Sequence, residues 1–145
     1  MAQDRNAEAR ALADQLRPVL LRLARELRRE AQSLGITGGQ VALLAQIKRE
    51  PGITASELAE RERMSAPGMS GHIARLESAK LIERTRASDR RRIGLTLTPE
   101  GRKILAGVRK RRTAWLSEHL HGLTDDEVAA IAGALPALEK LLDGR

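Results

Sequence analysis

The sequence predicts a mainly α-helical protein that carries one small β-hairpin. Apolar residues recur at steps of three and four through most of the 145 residues, as on one face of a helix. Residues that favour helix starts precede each of these stretches. Near residue 93 the pattern changes to strict alternation of apolar and polar residues, which indicates a strand.

The composition indicates one globular domain, or one domain with an assembly element. Hydrophobic residues make up 41% and charged residues 31%, whereas aromatic residues make up only 1%. The core must therefore consist of aliphatic side chains and methionine. The absence of cysteine excludes a disulfide framework and thiolate metal sites. No apolar run is long enough to span a bilayer, so we expect a soluble, cytoplasmic protein without a membrane partner.

The first element is an amphipathic helix over about residues 5–31. Pro18 interrupts it. Its apolar stripe comprises Leu12, Leu16, Val19, Leu20, Leu23 and Leu27. This stripe is longer than a small domain needs as a cover, so a helix of a second subunit is a plausible partner.

Three shorter helices follow, and the last two have helix-turn-helix spacing. Residues 37–40 and 54–57 are capping-box patterns, and Ser65 caps the third helix of this group. The inward face of that third helix is predicted to comprise Met69, Ile73 and Leu76. The tight turn over residues 62–64 joins it to the helix before it.

A hairpin follows at once, which completes a winged helix-turn-helix. The alternating segment 93–98 is one strand, residues 82–86 are its natural partner, and residues 87–92 form the tip. Thr98 and Pro99 then start a long helix that reaches about residue 121. A further capping box at residues 124–127 opens the last helix, which Pro136 is predicted to kink or to divide.

The terminal helices are too apolar to remain bare, which predicts an obligate homodimer packed across a two-fold axis. We therefore assign residues 1–36 and 99–145 to a helical dimerisation region. Residues 37–98 form the winged helix-turn-helix domain. The basic run 109–112 covers every face of its helix, which favours dimer salt bridges or solvation over a DNA-contacting stripe.

The net charge of +7 favours a polyanionic partner, with nucleic acid ahead of a membrane surface. In a helix-turn-helix, the second helix (here about residues 65–79) enters the major groove of double-stranded DNA. The outward candidates are Ser65, Ala66, Pro67, Gly68, Ser70, Gly71 and Arg75, with His72 at the boundary. Ser65 also suits a purely capping role, and His72 a packing role. The two glycines fit either close approach to DNA or simple tolerance.

The hairpin tip is strongly basic, which suits insertion of the wing (residues 86–92) into the minor groove. Arginines occupy positions 84, 86, 90, 91 and 92, and Asp89 is the single acid among them. The candidate contacts are Arg86, Asp89, Arg90 and Arg91, with Asp89 holding a neighbouring arginine in place. An isolated charge run would more often be a solvated face.

These stretches resemble the MarR family of bacterial regulators. The resemblance rests on residues 54–59 (TASELA), 64–70 (MSAPGMS), 75–77 (RLE), 89–91 (DRR) and 97–101 (LTPEG). It implies a triangular homodimer that binds a palindromic operator, usually as a repressor released by small, often phenolic, molecules. By position it places Ser65, Pro67, Gly68, Gly71 and Arg75 at recognition-helix contact sites. It pairs Asp89 with Arg91, and makes Arg91 the minor-groove residue.

The chain departs from the family pattern at positions 66, 68 and 71, where longer polar or basic side chains are common. Here they are Ala, Gly and Gly, so specificity is expected to depend on Arg75, the wing and DNA shape. His72, His119 and His121 form no ligand cluster, so neither a metal nor a cofactor is expected. A small aromatic or lipophilic effector, of unknown identity, fits the resemblance.

Three other functions compete with a regulator. An architectural DNA-binding protein would use the same fold without an operator, and a winged helix can also serve protein contacts alone. An enzyme is not expected, because the sequence offers no Ser/His/Asp arrangement, phosphate loop or carboxylate pair.

Overall fold

The computed structural model describes residues 1–86 and 92–144, and these form six α-helices and two β-strands. This confirms the predicted mainly α-helical class with one hairpin. In chain order the elements are α1 (Ala2–Gln32), α2 (Gly38–Arg49), α3 (Ala55–Arg61), α4 (Ala66–Ser78), β1 (Ile82–Arg86), β2 (Ile93–Leu97), α5 (Pro99–His121) and α6 (Asp125–Asp143). Pro18 and Pro136 lie inside α1 and α6, so Pro136 does not divide the last helix.

The helices begin where their capping residues predict. Thr37 and Thr124 form complete capping boxes: each hydroxyl accepts the amide three residues on, and Gln40 or Glu127 accepts the threonine amide. At Thr54 only half of the predicted box forms. Its hydroxyl accepts the Glu57 amide at 3.2 Å, but the Glu57 carboxylate contacts Arg92 of the hairpin instead.

The core lies between α2, α3, α4 and the hairpin, with α1 and α5 contributing at its edge. Its largest fully buried side chains are Leu44, Ile47, Leu58, Met69, Ile73, Leu76, Leu95 and Val108. The predicted inward face of α4 is therefore confirmed. Burying one such side chain stabilises a fold by about 1.5–3 kcal/mol, so this face fixes the rotation of α4.

β1 and β2 pair antiparallel, with Ile82 opposite Leu97 and Arg86 opposite Ile93. A short third segment joins their base. Ile53 bridges to Leu95, whose amide donates to the Ile53 carbonyl at 2.8 Å, while the Gly52 amide donates to the Leu95 carbonyl at 2.9 Å. The sequence did not predict this segment, because a single bridging residue leaves no alternating pattern.

The chain divides into two compact units, Met1–Arg112 and Thr113–Arg145. Within the first unit, α5 is tied to α1. Arg112 Nε donates to the Leu27 carbonyl at 3.1 Å, and Arg111 lies 3.7 Å from Glu30. Both arginines therefore contact α1 of their own chain, and their part in dimer salt bridges stays a prediction.

Large apolar side chains lie exposed on the two terminal helices of the single chain. They are Leu12, Val19, Leu20, Leu21 and Leu23 on α1, and Val128, Ile131, Leu135, Leu141 and Leu142 on α6. In the second unit, none of the described residues 113–144 is buried. Among the described residues, no helix is both long and apolar enough to cross a membrane.

Candidate nucleic-acid interface

Ser65 caps α4, as its position before the helix predicts. Its hydroxyl oxygen accepts the amide of Gly68 at 3.2 Å, and Pro67 occupies the first turn. Proline suits that turn because its missing N–H would have no partner within the helix. The cap leaves the hydroxyl proton of Ser65, which is exposed, available to an external acceptor.

The first turns of α4 present a surface of small side chains. Ser65, Ala66, Pro67, Gly68, Ser70, Gly71 and Arg75 are all exposed, whereas His72 is half-buried beside the inward face. A long cationic side chain at Arg75 thus follows a stretch with almost no side-chain bulk. Such a surface lets another molecule approach the helix backbone closely.

Gly68 and Gly71 have different surroundings. A Cβ atom at Gly71 would meet no atom within 4 Å, so packing within the chain does not require glycine there. A Cβ at Gly68 would lie 3.0 Å from the Ser65 hydroxyl, which is already tight. Since glycine lowers helix stability by about 0.8–1 kcal/mol relative to alanine, Gly71 carries a stability penalty that the isolated chain does not explain.

The turn between α3 and α4 carries an arginine that the sequence reasoning missed. Arg63 is exposed and has a φ of 52°, in the left-handed region that non-glycine residues seldom adopt. It lies two residues before the Ser65 cap. The signal was present in the sequence, because a basic residue in a helix-turn-helix turn lies close to the start of the second helix.

The α2–α3 pair that supports α4 is closed by an ion pair. Arg61 donates from Nε and Nη2 to the two Glu50 carboxylate oxygens, each at 3.2 Å. Hydrogen bonds from Arg61, and then from Gln46, lower the pKa of Glu50 below its ordinary 4.5. The carboxylate in turn raises the pKa of Arg61. The contact joins the C-terminal end of α2 to the end of α3.

Two arginines of the hairpin form ion pairs with helix carboxylates. We call these two arginine–glutamate pairs the wing-base pairs. Arg84 of β1 approaches Glu77 of α4, with Nε and Nη2 each 2.9 Å from Oε1. Arg92, directly before β2, contacts Glu57 of α3. Sequence reasoning treated both arginines only as members of the basic tip, because a carboxylate on another element leaves no local pattern.

The described part of the wing ends at its base. Arg86 is exposed at the end of β1. Asp89, Arg90 and Arg91, the other wing candidates, lie outside the described residues, and so does the predicted pairing of Asp89 with Arg91.

The second unit contains an open groove of about 490 Å³ between the end of α5 and the start of α6. Leucines and a valine line its apolar side, and Thr113, Ser117, His121 and Asp125 contribute polar atoms. His119 stacks on Trp115 with ring centroids 3.9 Å apart. Within the described residues, no three His, Asp or Glu side chains are placed to hold a metal ion together.

A helix-turn-helix with an exposed second helix, followed directly by a basic hairpin, defines a winged-helix DNA-binding protein. Residues 34–93 match the sequence profile of the MarR family. The chain is 32% identical to the HTH-type transcriptional repressor MdtR of Bacillus subtilis, over 81% of this chain and 76% of that protein. It is 29% identical to an uncharacterised HTH-type transcriptional regulator of Mycobacterium leprae, over 91% and 93% of the two chains.

The crystal structure of a putative transcriptional regulator from Pseudomonas aeruginosa has the same fold. It superposes with a TM-score of 0.84 at 35% identity, covering 95% of this chain and 98% of that one. The chain belongs to the MarR family of transcriptional regulators. The resemblance read from the motifs is therefore confirmed.

Proposed function

We propose that this regulator binds a palindromic operator as a homodimer and represses transcription until a small molecule releases it. The observation that carries the proposal is the capped, exposed and nearly bulk-free start of α4 beside an arginine-bearing hairpin. The repressor MdtR, a relative at 32% identity, supports the sign of regulation. The regulatory ligand would be a small aromatic or lipophilic molecule.

The start of α4 enters the major groove. Ser65, Ala66, Gly68 and Gly71 leave the helix backbone accessible. Pro67 has no N–H and the Gly68 amide donates to Ser65, so the Ala66 amide is the first-turn donor that can reach a phosphate. Arg75 is exposed and can donate two hydrogen bonds to a guanine. Ser70 and His72 border this contact, and Pro67 stiffens the first turn.

The wing occupies the neighbouring minor groove. Arg86 stands at the last described position of β1, and the following residues include Asp89, Arg90 and Arg91. An arginine suits a narrow minor groove because the negative potential is strongest there. We assign that role to Arg91, with Asp89 as its positioning partner.

The exposed apolar faces of α1 and α6 form the dimer interface. This extends the dimerisation region over residues 1–36 and 99–145, around a DNA-binding domain of residues 37–98. Each leucine that a second copy covers would contribute up to about 1.5–3 kcal/mol, which favours association strongly. Two winged helices would then contact half-sites about one helical turn apart.

The test compares the DNA upstream of the gene with random duplex of the same length at physiological salt. We expect a preference of at least about 10³ for an operator, with two protected half-sites in footprinting. Arg91→Ala should weaken operator binding, and Lys140→Ala, which removes a positive charge from α6, serves as the matched control. Equal operator affinity for Arg91→Ala and the unaltered protein would exclude the wing role.

A second candidate function is an architectural DNA-binding protein. The open surroundings of Gly71 favour it, because a helix surface without side chains reads few bases. A preference well below about 10³ would support this function and contradict a dedicated operator. Steep salt dependence is expected in both cases and does not separate them.

A further inference from the structure

The outer half of the hairpin has almost no apolar support. On the face of β1 that includes buried Ile82, the next two residues are Arg84 and Arg86, and both are exposed. On β2, Leu95 and Leu97 are buried, but Ile93 is 53% exposed. A two-stranded hairpin without a buried face is only marginally stable in water. Something other than core packing must therefore set the direction in which the wing projects.

The wing-base pairs supply that support, one to each strand. Glu77 lies one residue before the end of α4 and holds Arg84 through the Nε and Nη2 atoms of its guanidinium. Glu57, in the first turn of α3, contacts Arg92, the residue directly before β2. The two carboxylates come from different helices, so they hold the hairpin from two directions.

A backbone contact completes the attachment. Gly94 is buried against the loop before α3, where a Cβ atom would lie 2.6 Å from the Gly52 carbonyl oxygen. This contact fixes the strand position but not the tilt of the hairpin about it. Arg92 lies further out along the hairpin than Gly94, whereas Arg84, opposite Leu95, lies nearer its base, so the two wing-base pairs hold the hairpin on either side of this point and resist tilting.

The wing-base pairs contribute little to the free energy of unfolding, because their side chains are between 33% and 53% exposed and exposed ion pairs are weak. They also reduce the cationic surface, since each carboxylate neutralises one arginine beside the DNA-binding face. We propose that Glu77 and Glu57 are positioning residues that fix the wing relative to α4, and so determine specificity for the operator. The proposal rests on the DNA-binding mode described above.

The experiment measures affinity for operator and for random duplex with Glu77→Gln and Glu57→Gln. The matched controls are Glu83→Gln on β1 and Glu60→Gln on α3, which change the charge equally on the same or a neighbouring element. All four variants lose one negative charge, so affinity for random duplex should rise alike. The operator preference should fall by up to about fivefold, the upper end for one exposed ion pair, in the wing-base variants only.

A charge-swapped variant separates positioning from direct contact. Glu77→Arg combined with Arg84→Glu rebuilds the pair in reverse, and we expect it to recover operator preference relative to Glu77→Gln. A swap that binds operator no better than Glu77→Gln would mean that Arg84 acts on DNA itself, which would overturn the positioning role. Thermal melting of each variant shows that the fold is retained.

Hydrogen exchange of the hairpin amides without DNA gives a readout that does not depend on the operator. Exchange should be faster in Glu77→Gln than in Glu83→Gln. If the unaltered protein shows no operator preference, the proposed function fails. Suppose instead that the preference exists, but that wing-base and control variants have the same ratio of operator to random-duplex affinity and the same exchange rate. Then only the inference about the wing-base pairs fails.

Discussion

Two helical glycines of this chain differ in what surrounds them, so glycine at each position has a different explanation. Gly71 faces open space on α4. At Gly101, in the first turn of α5, a Cβ atom would overlap the Leu81 carbonyl oxygen. Gly101 is therefore explained by packing within the chain, whereas packing within the chain does not explain Gly71.

Gly71→Ala should stabilise the protein and weaken its binding to DNA. Alanine favours a helix over glycine by about 0.8–1 kcal/mol, and nothing in the chain opposes the new methyl group. The same methyl group would stand between α4 and the DNA. Urea denaturation measures the first effect and operator titration the second.

Gly133→Ala is the matched control, because a methyl group added at this glycine of α6 would also meet no atom within 4 Å. It should leave DNA affinity unchanged. Should Gly71→Ala bind operator as tightly as the unaltered protein, close approach at this position would be refuted.

Gly101→Ala should destabilise the fold by about 1–3 kcal/mol or more, because the clash is with backbone and cannot be relieved by a side-chain rotation. Gly107→Ala, in the same helix, meets Leu34 at an ordinary 3.4 Å and should be neutral or stabilising. Thermal and urea unfolding compare the two. A Gly101→Ala protein as stable as Gly107→Ala would contradict the close approach of α5 to Leu81.

Among the elements, those with local signals were predictable from the sequence. The inward face of α4 follows from Met69, Ile73 and Leu76, and the start of α5 from Thr98 and Pro99. Thr98 indeed accepts the Gly101 amide at 3.0 Å, and its own hydroxyl donates to the Lys80 carbonyl at 2.6 Å. Caps and periodicity concern residues close in the chain, so they can be read directly.

Contacts between distant elements could not be predicted in this way. Glu57 has the right spacing for a capping box with Thr54, but its carboxylate contacts the guanidinium of Arg92 instead of the Thr54 amide. Likewise, Ile53 reads as part of a loop until Leu95 is placed beside it. The recognition-helix candidates could be placed by exposure, whereas their contacts with DNA stay predictions.

The α2–α3 connection should respond to acid. The pKa of Glu50 is lowered in the folded chain by its hydrogen bonds to Arg61 and Gln46, so the carboxylate binds its proton less readily than when unfolded. Its contribution is therefore present above the unfolded pKa, ordinarily 4.5, and is lost as pH falls through the lower folded value. Arg61 stays protonated throughout and adds no pH dependence in this range.

Glu50→Gln should therefore lower stability at pH 7 and have less effect near pH 3, as measured by the urea midpoint. Glu62→Gln, just beyond α3, is the control for general loss of a carboxylate. An equal deficit for Glu50→Gln at both pH values would show that the Arg61 contact does not depend on charge.

At the scale of the whole molecule, the exposed leucines of α1 and α6 predict that association can be broken without touching the DNA-binding core. Leu135→Glu places a charge on the exposed apolar face of α6. We expect a monomer by sedimentation and a loss of operator affinity. Lys140→Glu, a charge change on the same helix, should remain dimeric. A dimeric Leu135→Glu protein would place the interface elsewhere.

Because none of the described residues 113–144 is buried, the folded fraction of this segment should depend on the protein concentration. A helical segment that buries little of itself gains its order from association, and that order obeys mass action. For the homodimer proposed above, dilution would therefore loosen the C-terminal unit while Met1–Arg112 kept its own core. A newly made chain would stay open to proteases there until it met a second copy, which ties the lifetime of the regulator to its own concentration.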